Sequence, residues 1–246
     1  MIVFGVIDAF VDLRNPHLEA KSFKQRYIGL SKALDTDIVF SEMYRIFRVL
    51  RNATIHAKSA LSISPTGVAV DYPFNKTLFQ LNCNKGALSL LYSLAVIYAQ
   101  LGGSFNSHGE GILRNYYDTI TGGITGFSDD FGPSLAQISS SGLRLSRVVR
   151  YVVHNSAFKQ AEDARSISIT RYSGIPEKHR GCSGVDHVIL HCGEIYVIPE
   201  EALTTSGEIP IKALTRWSWG PAKRVDIKDW RQLLTNSCVK RPTFGY

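Results

Sequence analysis

Apolar residues recur along the first two thirds of the chain with the period of α-helices. They return every three or four positions within residues 17–34, with charged residues between them, which is the pattern of an amphipathic helix. A second such stretch begins near Asp35 and continues without proline or glycine as far as Pro65. Because proline and glycine stop helices, Pro65 and Gly67 are expected to end it.

This second predicted helix carries a stripe of apolar residues that are spaced alternately by four and three positions. The stripe consists of Val39, Met43, Ile46, Leu50, Ala53, Ala57 and Ala60. Such spacing is typical of a helix that packs lengthwise against another helix. Because the stripe narrows to alanine at its C-terminal end, a second backbone can approach closely there, either from the same chain or from a partner.

The following segments give a mixed pattern. Alternating apolar residues in 67–72 and 77–82 predict a β-hairpin, and Asn84 is placed to cap an apolar helix that ends at Gly102. Residues 104–133 are rich in glycine and polar residues, which predicts a long surface loop with a short helix within it. A further helix is predicted over residues 133–164.

Beyond residue 165 the apolar period changes from that of helices to that of strands. Three strands, a tight turn at Gly193-Glu194 and a closing helix over residues 225–234 are expected there. We therefore predict an α+β protein with a boundary near Arg165. Residues 1–164 would form a mainly helical domain, and residues 165–246 a small β-rich C-terminal part.

Charge and composition indicate where the protein resides in the cell and what kind of partner it binds. The net charge of +7 and the pI near 9.2 favour an anionic partner such as nucleic acid, although a basic surface that serves only solubility fits equally well. The apolar residues 87–101 fall short of the roughly 20 needed to span a bilayer, and no secretory signal is recognisable at the N-terminus. We expect a cytoplasmic protein without a membrane partner, whose four scattered cysteines are reduced.

One stretch of the second helix combines residue types that are suited to RNA cleavage. Arg51, Asn52 and His56 occur there in the order Arg-Asn-x-x-x-His. Attack by a ribose 2′-hydroxyl needs a group that moves protons near neutral pH, which histidine does, and a fixed cation beside the phosphorane, which arginine provides. This chemistry needs no metal or other cofactor. Residues five apart lie about 140° from each other around a helix, so one helix presents only half a site.

The motif resembles the RNxxxH signature of HEPN domains, helical-bundle proteins that include many metal-independent ribonucleases and toxins. The resemblance implies that Arg51 binds the scissile phosphate, that His56 is the general acid or base, and that Asn52 orients one of them. It also implies a homodimer in which the helices around residues 51–56 meet. We thus expect a HEPN-like bundle and an endoribonuclease for single-stranded RNA, a toxin or antiviral effector that an antitoxin or another regulatory partner restrains.

Two other interpretations of the chain stay open. It can be a non-catalytic RNA- or protein-binding module of the same architecture, or an enzyme whose site lies wholly in the C-terminal part. Arg51, Asn52 and His56 share the helix face of Arg48, opposite the apolar stripe, so they also fit a solvated polar face.

Further arginines and a histidine are weaker candidates for substrate contacts. Arg48 precedes the motif by about one turn. Arg147, Arg150 and His154 can share one face of the helix predicted over residues 133–164. Their valine neighbours fit a buried helix with polar edges better.

The sequence gives little support for metal or nucleotide chemistry. Four residues of types that zinc prefers occur close together, namely Cys182, His187, His191 and Cys192. Their spacing matches no standard zinc site, so no metal is expected. Glycine-rich phosphate loops, dinucleotide fingerprints and the GxSxG nucleophile motif are all absent from the sequence.

Overall fold

The chain forms two compact units within the residues that the structure describes. The structure is a computed structural model that describes residues 2–56, 60–146, 150–154, 156–162, 165–172, 182 and 184–222. Unit 1 comprises residues 2–104 and 113–142, and unit 2 comprises residues 105–112 and the described residues from 143 onward. Arg165, where the sequence predicted a boundary, belongs to unit 2, and the predicted domains 1–164 and 165–246 stay a prediction.

The described residues of unit 1 form four α-helices and part of a fifth. They are α1 (Ile2–Arg14), α2 (Phe23–Gly29), α3 (Asp35–His56) and α4 (Lys85–Leu101), and α5 (Ser107–Gly122) begins in residues of unit 2 and ends in unit 1. Ser22 and Gln25 form a reciprocal capping box at the start of α2. Asn84 caps α4 by accepting the N–H of Ala87, and Gly102 ends α4 in the left-handed conformation, so the predicted limits of this helix are confirmed.

A four-stranded antiparallel sheet completes unit 1. Its strands are β1 (Leu61–Ser64), β2 (Gly67–Phe74), β3 (Thr77–Asn84) and β4 (Ile124–Ser128), in that spatial order. The β2–β3 hairpin confirms the prediction, and it turns at Asn75 and Lys76, both of which have positive φ. A two-residue turn with positive φ at both positions matches the twist of its strands.

Unit 2 is built mainly of strands. They are β5 (Arg150–Val153), β6 (Phe158–Gln160), β7 (Ser166–Ile169), β8 (Gly184–His191), β9 (Glu194–Pro199), β10 (Glu208–Pro210) and β11 (Ser218–Pro221), with the short helix α6 (Ile211–Leu214). One sheet has the order β11-β9-β8-β5, in which β5 and β8 are parallel, and the other has the order β10-β7-β6. β7, β8 and β9 confirm the three predicted strands, whereas the closing helix predicted over residues 225–234 lies outside the described residues.

The prediction of a mainly helical bundle is wrong. The described residues hold eleven strands in three sheets beside six α-helices, so the protein is α+β with substantial sheet. Residues 61–64, predicted to continue α3, alternate apolar and polar side chains and pair with β2 as β1. The predicted helix over residues 133–164 is absent from its described residues, which include β5 and β6.

Two other predicted segments are also corrected. The amphipathic pattern of residues 17–34 forms a helix only over Phe23–Gly29. The predicted long loop over residues 104–133 instead contains α5 and β4. The short helix expected within that loop lies inside α5, which is longer than predicted. One glycine of α5 has a packing reason, because a Cβ on Gly111 would lie 2.9 Å from Cγ of Leu145, and both residues belong to unit 2.

None of the helices in the described part of the chain is both long enough and apolar enough to cross a bilayer. The apolar helix α4 instead buries side chains in unit 1, among them Leu91 and Leu94.

Helix α3 is the central element of unit 1 and is buried on both faces. The predicted apolar stripe is confirmed at Val39, Met43, Ile46 and Ala53, all of which are buried. The opposite, polar face is buried as well over much of the helix, including Ser41, Glu42, Tyr44 and Arg45. Burial of charged groups is costly unless they are paired and hydrogen-bonded, so this face requires internal partners.

Those partners form a closed ionic cluster around Arg45. Its Nη1 lies 2.7 Å from Oε2 of Glu42, and its Nη2 lies 2.5 Å from Oδ1 of Asp129. Glu42 also accepts hydrogen bonds from the hydroxyl of Tyr27 and the backbone N–H of Ala136. Because Asp129 directly follows β4, the cluster ties α3 to the edge of the sheet.

Removal of the Arg45 charge is expected to destabilise the protein strongly. In Arg45→Met two buried carboxylates lose their cation, which should cost about 3–5 kcal/mol of unfolding free energy. Arg48→Met is the matched control, because Arg48 pairs with the more exposed Asp130 and its loss should cost about 1 kcal/mol. Urea denaturation of both variants measures the difference, and equal losses would contradict the importance of the buried cluster.

Candidate functional site

Arg51, Asn52 and His56 occupy the last two turns of α3 in unit 1. Arg51 and Asn52 are half-buried, whereas His56 is exposed and is the final residue of the helix. Nη1 of Arg51 donates a hydrogen bond to Oδ1 of Asn52 at 3.0 Å, and the guanidinium carbon lies 5.6 Å from the ring centre of Phe4. Asn52 and Phe4 therefore position the Arg51 guanidinium.

Arg51 differs in its charge balance from the other buried or half-buried arginines of unit 1. Arg26, Arg45, Arg48 and Arg114 each pair with at least one aspartate or glutamate. Within the described residues Arg51 has no acidic partner and makes a single hydrogen bond. A partly buried guanidinium with unused N–H donors is a favourable place for an anion.

The contrast with Arg48 is informative because both arginines project from α3. Nη1 of Arg48 lies 2.6 Å from Oδ2 of Asp130, and its guanidinium lies 4.2 Å from the ring centre of Phe23 and 5.3 Å from that of Phe79. The charge of Arg48 is thus compensated inside the protein. This geometry favours a structural role for Arg48 over the predicted contact with substrate.

An apolar groove of about 170 Å³ lies beside Arg51. Its walls come from α1, α3, β1, β2 and α4, and they include the aromatic rings of Phe4, Phe47 and Tyr92. Besides the Tyr92 hydroxyl, the polar side chains of the lining are those of Arg51 and Thr54. The Thr54 hydroxyl donates its hydrogen to the carbonyl oxygen of Leu50, so Arg51 is the charged group of the groove.

His56 completes the set that the motif singled out. It is exposed, and none of the described residues forms a hydrogen bond or an ion pair with it. Five residues separate it from Arg51, which corresponds to about 140° around the helix axis. Arg51 and His56 therefore lie at the two edges of the polar face of α3, and one chain supplies only half a site.

The other predicted contacts belong to unit 2 and have different surroundings. Arg150 lies in β5 and His154 in the turn after it, so the helical face that was expected to carry them does not exist. Arg147 lies outside the described residues. Nε of Arg150 is 2.7 Å from Oδ1 of Asp186, and its Nη2 is 2.6 Å from Oε2 of Glu201. Arg150 is thus neutralised internally.

Asp186 joins a buried histidine to this ion pair. Nε2 of His108 lies 3.2 Å from Oδ2 of Asp186, and both side chains are buried. Burial alone would raise the pKa of Asp186. The combined effect of His108 and Arg150 is larger and of opposite sign, so the pKa is lowered and the carboxylate is ionised. Sequence reasoning missed this cluster, since its members are dozens of residues apart and form no motif.

A second buried histidine, His187, has an environment different from that of His108. His187 is completely buried in β8, and its Nδ1 shares a hydrogen bond with Oγ of Ser156 at 3.1 Å. Its Nε2 is buried without a hydrogen-bond partner among the described residues. No group of three or more histidine, cysteine, aspartate or glutamate residues in the described part of the chain is placed to hold a metal.

The cysteines of the described residues are free thiols. They are Cys83, Cys182 and Cys192. Burial raises the pKa of Cys83 to about 11, so its thiol is protonated and unreactive near neutral pH. Cys238 lies outside the described residues.

Comparison of the chain with family models, with curated proteins and with solved structures found no match.

We expect His187 to make the protein less stable in acid. Burial lowers the pKa of His187, and Glu200 and Asp186 offset this only in part, so the unfolded chain binds the proton more readily than the folded chain does. The contribution of neutral His187 to the free energy of unfolding is fully present above about pH 6.5, the pKa of histidine in an unfolded chain. It is lost as the pH falls below that value, by up to about 1.4 kcal/mol per pH unit.

Chemical denaturation of wild type and His187→Gln between pH 7.5 and pH 5.5 measures this effect. The variant is expected to start from a lower stability but to lose less of it over this interval. His17→Gln is the control, because His17 is exposed. An acid loss in His187→Gln as large as in wild type would rule out the buried imidazole as its source.

Proposed function

We propose that the protein is a metal-independent endoribonuclease that cleaves single-stranded RNA. The observation that carries this proposal is the half-buried guanidinium of Arg51, which has no carboxylate partner among the described residues. Arg51 lies in the last turns of the helix that ends with the exposed imidazole of His56. A fixed cation and a nearby proton carrier are the groups that cleavage by the 2′-hydroxyl requires. The net charge of +7 also favours a polyanionic substrate.

In the proposed reaction the ribose 2′-oxygen attacks the neighbouring phosphorus. The new P–O2′ bond forms while the P–O5′ bond breaks, which leaves a 2′,3′-cyclic phosphate and a 5′-hydroxyl end. One imidazole accepts the proton of the 2′-hydroxyl and another donates a proton to the departing 5′-oxygen. Arg51 stabilises the charge on the phosphorane, and Asn52 keeps the guanidinium in place.

Two histidines are needed for these two proton transfers, and α3 supplies one. We therefore propose that a homodimer completes the site by bringing the C-terminal ends of two α3 helices together. The likeness of Arg51, Asn52 and His56 to the HEPN motif suggests a toxin or antiviral effector acting in the cytoplasm. Such an enzyme needs an antitoxin or another regulatory partner to restrain it. A mainly helical bundle is no part of this proposal.

One observation favours a second candidate, a non-catalytic RNA-binding module. Catalytic histidines are commonly oriented by a hydrogen bond to the second ring nitrogen, and none of the described residues provides such a bond to His56. In a binding module Arg51 would contact a phosphate and His56 would not transfer protons. Substitution of Arg51 would then weaken RNA binding in a strongly salt-dependent way without any change in RNA length.

The ribonuclease proposal predicts cleavage of labelled single-stranded RNA in the presence of EDTA. His56→Ala should slow cleavage by at least about 100-fold, since a general acid or base typically contributes that much. Arg51→Ala should slow it by a similar factor, because the phosphorane loses its fixed cation. Gel electrophoresis of the fragments and analysis of their ends measure rate and chemistry together.

Exposed residues of the same types provide the controls for this assay. His17→Ala and Arg14→Ala alter a histidine and an arginine in unit 1 that are both exposed, and both variants should cleave like wild type. Undiminished cleavage by folded His56→Ala would refute the proposed site. RNA binding by wild type without cleavage would instead support the binding module.

A further inference from the structure

The groove beside Arg51 has walls and a charge that together define a ligand. Its lining is mostly aliphatic and aromatic, and its volume is about 170 Å³. At one side lies the half-buried Arg51, which makes a single hydrogen bond and has no acidic partner in the described part of the chain. Apolar walls favour a hydrocarbon group, and the guanidinium favours an anion.

We propose that this groove binds a small organic acid whose carboxylate pairs with Arg51 and whose apolar body lies among Phe4, Phe47 and Tyr92. The volume of the groove sets the size of that body. Cavities of roughly 150 Å³ lined by Leu, Ile and Phe side chains take up a benzene molecule. A phenyl ring or a short acyl chain of similar size therefore fits the groove.

The lining also argues against more polar ligands. The Thr54 hydroxyl donates its hydrogen to the backbone of α3, and most of the remaining lining side chains, such as Leu61 and Leu88, have no polar atoms. A sugar or a nucleobase placed there would lose hydrogen bonds to water without replacing them, which is unfavourable. A carboxylate with one apolar substituent instead exchanges hydrogen bonds to water for charge-assisted hydrogen bonds from Arg51.

Occupancy of the groove has a consequence for RNA cleavage. A carboxylate on Arg51 would occupy the guanidinium that we assign to the scissile phosphate, so the acid should compete with RNA. This consequence rests on the proposed ribonuclease function. Binding of the acid does not, since it depends only on the groove and on Arg51.

Titration calorimetry with phenylacetate tests the site directly. Wild type is expected to bind with a dissociation constant of about 1 mM or tighter, as suits a ligand of this size. Arg51→Met keeps an unbranched apolar side chain and removes the charge, and it should weaken binding by at least about tenfold. Phenylacetamide, which has the same shape without the negative charge, should bind wild type at least about tenfold more weakly.

Arg14 offers a matched control for the substitution. Its guanidinium carbon lies 5.6 Å from the ring centre of Phe10, the same distance that separates Arg51 from Phe4, but Arg14 does not line the groove. Arg14→Met should bind phenylacetate like wild type. Circular dichroism confirms that each variant is folded. Absence of phenylacetate binding to wild type, equal binding by Arg51→Met, or equal affinity for phenylacetamide would each overturn the proposal.

His56→Ala separates this site from the ribonuclease proposal. His56 is not part of the groove, so the variant should bind phenylacetate normally even though it should not cleave RNA. Phenylacetate binding by a wild-type protein that does not cleave RNA would support the acid site and exclude the nuclease. RNA cleavage by a wild-type protein that does not bind phenylacetate would support the nuclease and exclude the acid site.

Discussion

The buried pairing of Arg45 with Glu42 and Asp129 is the interaction on which the arrangement of unit 1 depends. It allows the polar face of α3 to be enclosed around Glu42 and Arg45, because these two buried charges and Asp129 then have partners of opposite sign. It also holds α3 in position along its axis relative to β4 and the segment after it. Arg45 pairs with Asp129, which follows β4, and Glu42 accepts a hydrogen bond from the backbone N–H of Ala136. The position of the last turns of α3, where the candidate site lies, follows from this attachment.

Three arginines follow one another at intervals of three residues along α3, and only the first two are neutralised by carboxylates of the described residues. Arg45 pairs with Asp129 and Arg48 with Asp130, two consecutive aspartates. Arg51 has no acidic partner in the described part of the chain, although it is half-buried and lies against Phe4. This uncompensated cation is the observation that supports both proposed anions, a phosphate of RNA and the carboxylate of a small acid.

Unit 2 applies the same rules on the two sides of a single strand. Consecutive residues of β8 point to opposite faces, so Asp186 reaches Arg150 and His108 while His187 reaches Ser156. Asp186 pairs with Arg150, its pKa is lowered and it stays ionised, whereas His187 has no ion pair among the described residues, and burial lowers its pKa so that it stays neutral. Asp186 is fully paired, and His187 is completely buried with one hydrogen bond, so both groups suit a structural role.

Sequence alone determined the features that arise from neighbouring residues. Helical periodicity identified most of α3, capping residues set the limits of α4, and alternation identified the β2–β3 hairpin and the strands from β7 to β9. The motif likewise placed Arg51, Asn52 and His56 on one helix. These features depend on contacts within a few positions of the chain, which local pattern can reveal.

Only the tertiary structure decided which short apolar runs are strands and which arginines are compensated. The residues of β1 and β5 fit the predicted helices by local pattern, and only their pairing with β2 and β8 makes them strands. Arg48 and Arg51 look equivalent in sequence, but the carboxylate that neutralises Arg48 lies 82 positions away. Hydrogen bonds and ion pairs between distant residues leave no local pattern, so the difference between a structural and an available cation appears only when the chain is folded.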